Sequence, residues 1–129
     1  MEKTRVLVIE DDASLRQVVC RILAEFGRYE LTTAADGREG IEALQRGRFG
    51  LVITDVLMPE QDGIETIGRI RELDERIPII AMSGYDIGDF SPLNDAFLMG
   101  ADRTLLKPFG AQELLEAVRE VLETDDTPV

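Results

Sequence analysis

Short apolar runs alternate along this chain with longer segments in which apolar residues recur every three or four positions. A short continuous apolar run is typical of a strand buried on both faces, and the wider spacing is typical of a helix with one buried face. The runs predict five strands, at residues 5–9, 29–35, 51–54, 79–82 and 103–106. The spaced segments predict five helices: at residues 13–26, between Asp36-Gly37 and Gly47, at 63–73, at about 93–99, and after Phe109.

The first and last helices each carry an apolar stripe that should face the core. On the first helix the stripe comprises Leu15, Val18, Val19, Ile22, Leu23 and Phe26. On the last helix it comprises Leu114, Leu115, Val118, Val121 and Leu122. The second strand is more polar than the others, which predicts a position at the edge of the sheet.

Strands that alternate with helices predict an α/β fold with a parallel sheet covered on both faces, and right-handed crossovers make it doubly wound. Ligands of such sheets bind beyond the carboxyl ends of the strands. Polar residues follow four of the predicted strands at this end. They are Glu10, Asp11 and Asp12 after the first strand, Asp55 after the third, Ser83 after the fourth and Lys107 after the fifth.

Carboxylates brought together without a counter-ion repel one another, and a divalent cation with a preference for oxygen removes the conflict. Mg²⁺ fits best, because it is bound by one or two carboxylates together with waters and substrate phosphate. An aspartate beside Mg²⁺, Lys107 and Ser83 is suited to attack a phosphorus centre. The residues therefore predict phosphoryl transfer to Asp55.

Composition narrows the class of protein further. The chain has 129 residues, a formal net charge of −12, no histidine and one cysteine, Cys20. These values exclude Cys/His zinc sites and histidine-based triads, and they argue against nucleic-acid and anionic-membrane partners. We expect one domain over residues 1–129, with its core at about 4–123, a flexible tail at 124–129 and a cytoplasmic location.

The chain resembles bacterial two-component response-regulator receiver domains over roughly residues 4–123. Four motifs carry the resemblance: VLVIEDD, ITDVLMP-x3-G, AMSG and GADRTLLKPF. The resemblance implies a flavodoxin-like sheet in the order 2-1-3-4-5. It implies that Asp55 is the phosphoacceptor, that Asp11 is a direct Mg²⁺ ligand and that Glu10 acts through a metal-bound water. It further implies a third ligand in the carbonyl of Leu57, a phosphoryl-sensing hydroxyl in Ser83, an ion-pair partner in Lys107 and a cis bond before Pro108.

The same resemblance implies a function and its partners. A sensor histidine kinase or a histidine phosphotransfer protein would donate the phosphoryl group, and phosphorylation would change binding to a downstream protein target. We expect a monomer or a weak dimer that catalyses only its own phosphorylation and dephosphorylation. Whether Leu15, Pro108 and Phe109 dock the phosphodonor is left open.

Two features depart from the family pattern. The switch position in the fifth strand, usually aromatic, is Thr104, and the loop through Tyr85 is longer than in compact members. We therefore expect the signal to leave through the loop after Ser83, with Tyr85 filling part of the space beside Thr104. Asp12 is expected to cap the first helix rather than to bind metal.

Three alternatives stand beside this reading. A Mg²⁺-dependent phosphohydrolase with an aspartate nucleophile would place the nucleophile after the first strand and would need a cap domain. A flavin-binding module would place hydroxyls and glycines, rather than three acids, after the first strand. The chain could also be a receiver excised from a larger regulator.

Overall fold

The computed structural model of the chain describes residues 3–26, 29–56, 63–84, 96–97 and 99–124. Within these ranges there are five strands and four helices. The strands are β1 (Thr4–Ile9), β2 (Tyr29–Ala34), β3 (Leu51–Asp55), β4 (Ile79–Ser83) and β5 (Arg103–Leu106). The helices are α1 (Ala13–Phe26), α2 (Gly37–Arg46), α3 (Gly63–Leu73) and α4 (Ala111–Thr124). Among the described residues no helix is long and apolar enough to cross a bilayer.

Several predictions fall on residues outside these ranges. They concern the turn at Met58-Pro59, the loop through Tyr85 and the tail beyond residue 124. The predicted helix at about 93–99 also lies largely outside the described residues, although Ala96, Phe97 and Met99 have helical backbone.

All five strands are parallel and lie in the order β2-β1-β3-β4-β5, which confirms the predicted sheet. The polar strand β2 occupies one edge, as predicted. Successive side chains of a strand point to opposite faces, so Leu7 and Ile9 of β1 enter one core while Val6 and Val8 enter the other. Helices α2 and α3 cover the first core, and α1 and α4 cover the second, so the fold is doubly wound.

The predicted stripe on α1 is only partly buried. Val19 and Leu23, four residues apart, are fully buried, but Val18 and Phe26 are 51% and 65% exposed. Each residue advances a helix by about 100°, so Val18 lies on the flank of the face that carries Val19. Phe26 is the last residue of the helix. Periodicity identified the correct side of the helix but assigned too wide a stripe to the core.

On α4 the predicted face is closer to the observed one. Leu114, Val118 and Val121 are buried, as is Ala117, while Leu115 and Leu122 are partly buried and pack against the same core.

Arg71, in the last turn of α3, fixes the approach to β5. Its guanidinium donates to the carbonyl oxygens of Gly100 at 2.6 and 2.9 Å and of Ile77 at 2.6 Å, and it pairs with Asp102 at 2.9 Å. Gly100 has φ +127°, a conformation that L side chains rarely adopt, and a Cβ there would lie 2.9 Å from the Arg71 side chain. The contacts hold the start of β5 in register beside β4, and this register sets the position of Lys107 at the far end of β5.

Candidate functional site

The predicted site residues meet at the carboxyl edge of the sheet. Asp55 is the last residue of β3 and Ser83 the last of β4, so both strands run one residue further than predicted. Glu10 follows β1 and Lys107 follows β5. The extension of β3 has a plain cause: Asp55 stays in register with Met82 of β4, and the following amide, of Val56, donates to the Met82 carbonyl. Backbone pairing keeps the aspartate in the strand although its side chain disfavours strands.

Lys107 links two buried carboxylates across the end of the sheet. Its Nζ lies 2.9 Å from Oε1 of Glu10 and 3.2 Å from Oδ1 of Asp55. Glu10 and Asp55 are 1% and 3% exposed. Removing one partner of a buried ion pair leaves an uncompensated charge, which costs more than losing an exposed pair. The lysine is therefore essential to the balance of charge in this site.

Glu10 is an acid with a strongly perturbed pKa. Burial raises its pKa from 4.5 to about 7; the hydrogen bond from Lys107 opposes the rise and the negative charge of Asp55 adds to it. Burial by itself would lower the pKa of Lys107, but the two carboxylates raise it. One lysine thus leaves an excess of negative charge in the site, which a bound cation would relieve.

Glu10, Asp11 and Asp55 could hold that cation. One carboxylate oxygen from each lies within 4.8 Å of the other two. Asp11 is exposed, so the cluster is open to solvent on that side. Carboxylate oxygens are the ligands that Mg²⁺ prefers, and Mg²⁺ retains several waters, which an open side accommodates. The residues present therefore fit a magnesium ion.

Asp12 has a different role from its two neighbours. Its Oδ1 accepts hydrogen bonds from the amides of Ser14 at 2.9 Å and Leu15 at 3.2 Å. These contacts cap the amino end of α1, as the sequence predicted.

The structure describes only some of the remaining predicted residues. Ser83 is fully buried, one position beyond Met82, the β4 partner of Asp55. Thr104 is half-buried on β5 and pairs in register with Ala81. Leu57 and Tyr85 lie outside the described residues. The bond between Lys107 and Pro108 is cis, as the resemblance implied.

Sequence reasoning missed two contributors to this site. Arg16, in the first turn of α1, donates to the carbonyl oxygen of Glu10 at 2.7 Å. The pairing of Lys107 with Glu10 was also unforeseen, since Lys107 was expected to pair with a phosphoryl group. A cation in the first turn of a helix opposes the helix dipole, and this was the signal in the sequence that could have identified Arg16.

Gly63 brings α3 close to the end of β3. A Cβ at this position would lie 2.4 Å from the carbonyl oxygen of Asp55 and from Cα of Val56, and the Gly63 amide donates to the Val56 carbonyl at 3.2 Å. Only a residue without a side chain fits so near this backbone.

Comparisons with known proteins agree with this geometry. The family model of the response regulator receiver domain matches residues 6–119. Among solved structures, the chemotaxis protein CheY4 of Vibrio cholerae is 33% identical with a TM-score of 0.85, and the match covers 94% of this chain and 100% of that one. A CheY-like receiver domain protein from Methanospirillum hungatei is 26% identical with a TM-score of 0.89, over 97% of this chain and 98% of that one.

Curated relatives are longer. The probable transcriptional regulator ycf27 of Cyanophora paradoxa is 34% identical over 99% of this chain and 52% of its own length. The uncharacterized transcriptional regulatory protein YkoG of Bacillus subtilis is 33% identical over 98% of this chain and 54% of its own length. The chain thus spans about half the length of these relatives. Its sheet order, its acidic cluster and the family match over residues 6–119 lead to one conclusion: the chain belongs to the receiver domain family of two-component response regulators.

Proposed function

We propose that this receiver accepts a phosphoryl group on Asp55 and thereby changes its affinity for a protein target. The observation that carries the proposal is the contact of Lys107 with both Asp55 and Glu10 at the open carboxyl edge of the sheet. A histidine kinase or a histidine phosphotransfer protein is the donor that fits the family. Receiver domains are signalling domains rather than classical enzymes, and we propose that this one catalyses only its own phosphorylation and dephosphorylation.

Transfer follows from the groups at the site. A carboxylate oxygen of Asp55 attacks the phosphorus of a donor phosphohistidine, and the phosphorus–nitrogen bond breaks. The bonding electrons return to the donor's imidazole nitrogen, which takes up a proton. Lys107 compensates the charge on the transferred group, and the Ser83 hydroxyl donates to one of its oxygens. Attack by water on the acyl phosphate later restores Asp55 and releases inorganic phosphate.

The acidic residues prepare the site for a metal. Asp11 and Asp55, with Glu10 acting through water and the predicted carbonyl of Leu57, would hold Mg²⁺, which would supply charge neutralisation at the phosphoryl oxygens. Among the described residues Lys107 forms ion pairs with both Glu10 and Asp55, and the pKa of Glu10 is nevertheless raised, first by burial and further by the charge of Asp55.

Phosphorylation by acetyl phosphate tests the assignment. In the presence of Mg²⁺ the wild type should gain one phosphoryl group by intact mass, labile at alkaline pH, and Asp55→Asn should gain none. Asp12→Asn is the matched control, because asparagine caps a helix as well as aspartate does, and it should label as the wild type does. Stoichiometric labelling of Asp55→Asn at another residue would refute the assignment.

A further inference from the structure

Arg16 contacts the main chain next to the acidic residues. Its Nη1 donates to the carbonyl oxygen of Glu10 at 2.7 Å, and its own amide donates to the carbonyl of Asp12 at 2.9 Å. The side chain is half-buried. Arg16 therefore spans the turn that connects β1 to α1, which is the segment that carries Glu10, Asp11 and Asp12.

The position of this arginine is unfavourable for the helix. The first turn of a helix carries partial positive charge, so a cation there is disfavoured. No acidic residue lies within the first turn of α1 to offset it. The hydrogen bond to Glu10 and the negative charge of the nearby acids offset this cost. Arg16 therefore stabilises the turn before α1 rather than the helix itself.

The carbonyl that Arg16 binds belongs to the peptide group between Glu10 and Asp11. On its other side Glu10 is held by its own amide, which donates to the carbonyl of Ala34 at 3.0 Å. Rotation of the Glu10–Asp11 peptide plane would redirect the side chain of Asp11 and move it away from the other two acids. With the carbonyl held by Arg16, this rotation is restrained.

We propose that Arg16 is a positioning residue for the metal site, which fixes the Glu10–Asp11 peptide plane so that the three carboxylates converge before a cation arrives. The inference rests on the proposed function, because it takes Glu10, Asp11 and Asp55 as the Mg²⁺-binding residues. Groups that orient metal ligands typically change metal affinity by about 10–100-fold when they are removed.

The proposal and its simplest rival predict changes of opposite sign. If Arg16 orients the ligands, its replacement by methionine weakens Mg²⁺ binding. If Arg16 acts only as a positive charge near a cation site, the same replacement relieves repulsion and strengthens Mg²⁺ binding. If Arg16 only stabilises the fold, its replacement lowers the free energy of unfolding and leaves the Mg²⁺ affinity unchanged.

The experiment compares Mg²⁺ affinity by calorimetry, at constant ionic strength, in the wild type, Arg16→Met, Arg16→Lys and Arg21→Met. We expect Arg16→Met to weaken binding about tenfold. Lysine can still donate to the Glu10 carbonyl, so Arg16→Lys should retain most of the affinity. Arg21 is an exposed arginine of the same helix and serves as the control, which should bind as the wild type does. Unchanged or tighter Mg²⁺ binding by folded Arg16→Met would overturn the proposal.

Hydrogen exchange of the metal-free protein gives a second, independent result. The amide of Asp12 donates to Oε2 of Glu10 at 3.2 Å within the same turn, so it should exchange faster in Arg16→Met and not in Arg21→Met. If Arg16→Met does not fold, Arg16→Gln replaces it, since glutamine keeps a polar end at this half-buried position but is shorter than arginine. If the wild type itself binds no Mg²⁺, the metal part of the proposed function is refuted, and the exchange of Asp12 still decides whether Arg16 holds the turn.

Discussion

Replacing Glu10 by glutamine should remove most of the dependence of folding stability on pH near neutrality. The pKa of Glu10 is about 7 in the folded protein, against an ordinary value of 4.5. A carboxyl whose pKa is higher in the folded state binds more protons when folded, so the free energy of unfolding falls as pH rises. The loss begins near pH 4.5 and is nearly complete above pH 7, because the ionised form of Glu10 is the disfavoured one.

The size of the effect follows from the two pKa values. The difference between 4.5 and about 7 corresponds to about 3 kcal/mol between the acidic and the alkaline limits. Histidine, whose ordinary pKa lies near neutrality, contributes nothing to this pH dependence because the chain has none. Burial raises the pKa of both Cys20 and Tyr29 from ordinary values that already lie above neutrality. Few other groups should therefore titrate in this range.

The assay is urea unfolding of metal-free protein at several pH values between about 5.5 and 8.5, where most other carboxyls remain ionised. The wild type should lose stability as pH rises, and Glu10→Gln should be nearly flat, whatever the cost of losing the partner of Lys107. Glu42→Gln, at an exposed position on α2, is the control and should follow the wild type. Saturating Mg²⁺ should flatten the wild-type curve, because the metal favours ionised Glu10. Equal slopes for the wild type and Glu10→Gln would refute the reasoning.

Four further predictions follow from the same structure. Mg²⁺ at a concentration of 100 Kd should add about 2.7 kcal/mol to the free energy of unfolding of the wild type and so raise its thermal unfolding midpoint. Asp11→Ala should lose most of this shift in thermal scans. Gly63→Ala should destabilise by about 1–3 kcal/mol in urea, whereas Gly110→Ala, where a Cβ meets nothing within 4 Å, should not. The 129 residues, with a net charge of −12, should not bind random duplex DNA at physiological salt, and salt-sensitive retardation in gels would count against this. Beryllofluoride should change hydrogen exchange most across residues 84–98, and Ser83→Ala should lose that change while it still accepts phosphate; changes confined to other segments would place the output elsewhere.

Much of the fold could be predicted because the pattern is local. The bounds predicted for α3 and β5 are those observed, since clear apolar spacing and flanking glycine or proline define them. The errors lie where the outcome depends on tertiary contacts. Val18 and Phe26 belong to an apolar stripe, yet the width of the face that meets the sheet is set by neighbouring elements and not by the helix itself.

The sequence indicated which residues meet at this edge of the sheet, but not how they interact with one another. Asp11, Asp55, Ser83 and Lys107 could be placed together because the carboxyl ends of parallel strands share one edge. The near-complete burial of Glu10 and its shifted pKa could not be predicted, because they arise from packing among segments far apart in the chain.

The pairing of Lys107 with Glu10 joins residues 97 positions apart. During synthesis, the residues of β1 and β3 are made before those of β5, and until then Glu10 and Asp55 lack the lysine with which they pair in the described structure. On the proposed mechanism, β1 and β3 by themselves would therefore not form a competent phosphoacceptor site. If the proposed role of Lys107 holds, a chain truncated before β5 should not compete with the intact protein for a donor's phosphoryl group.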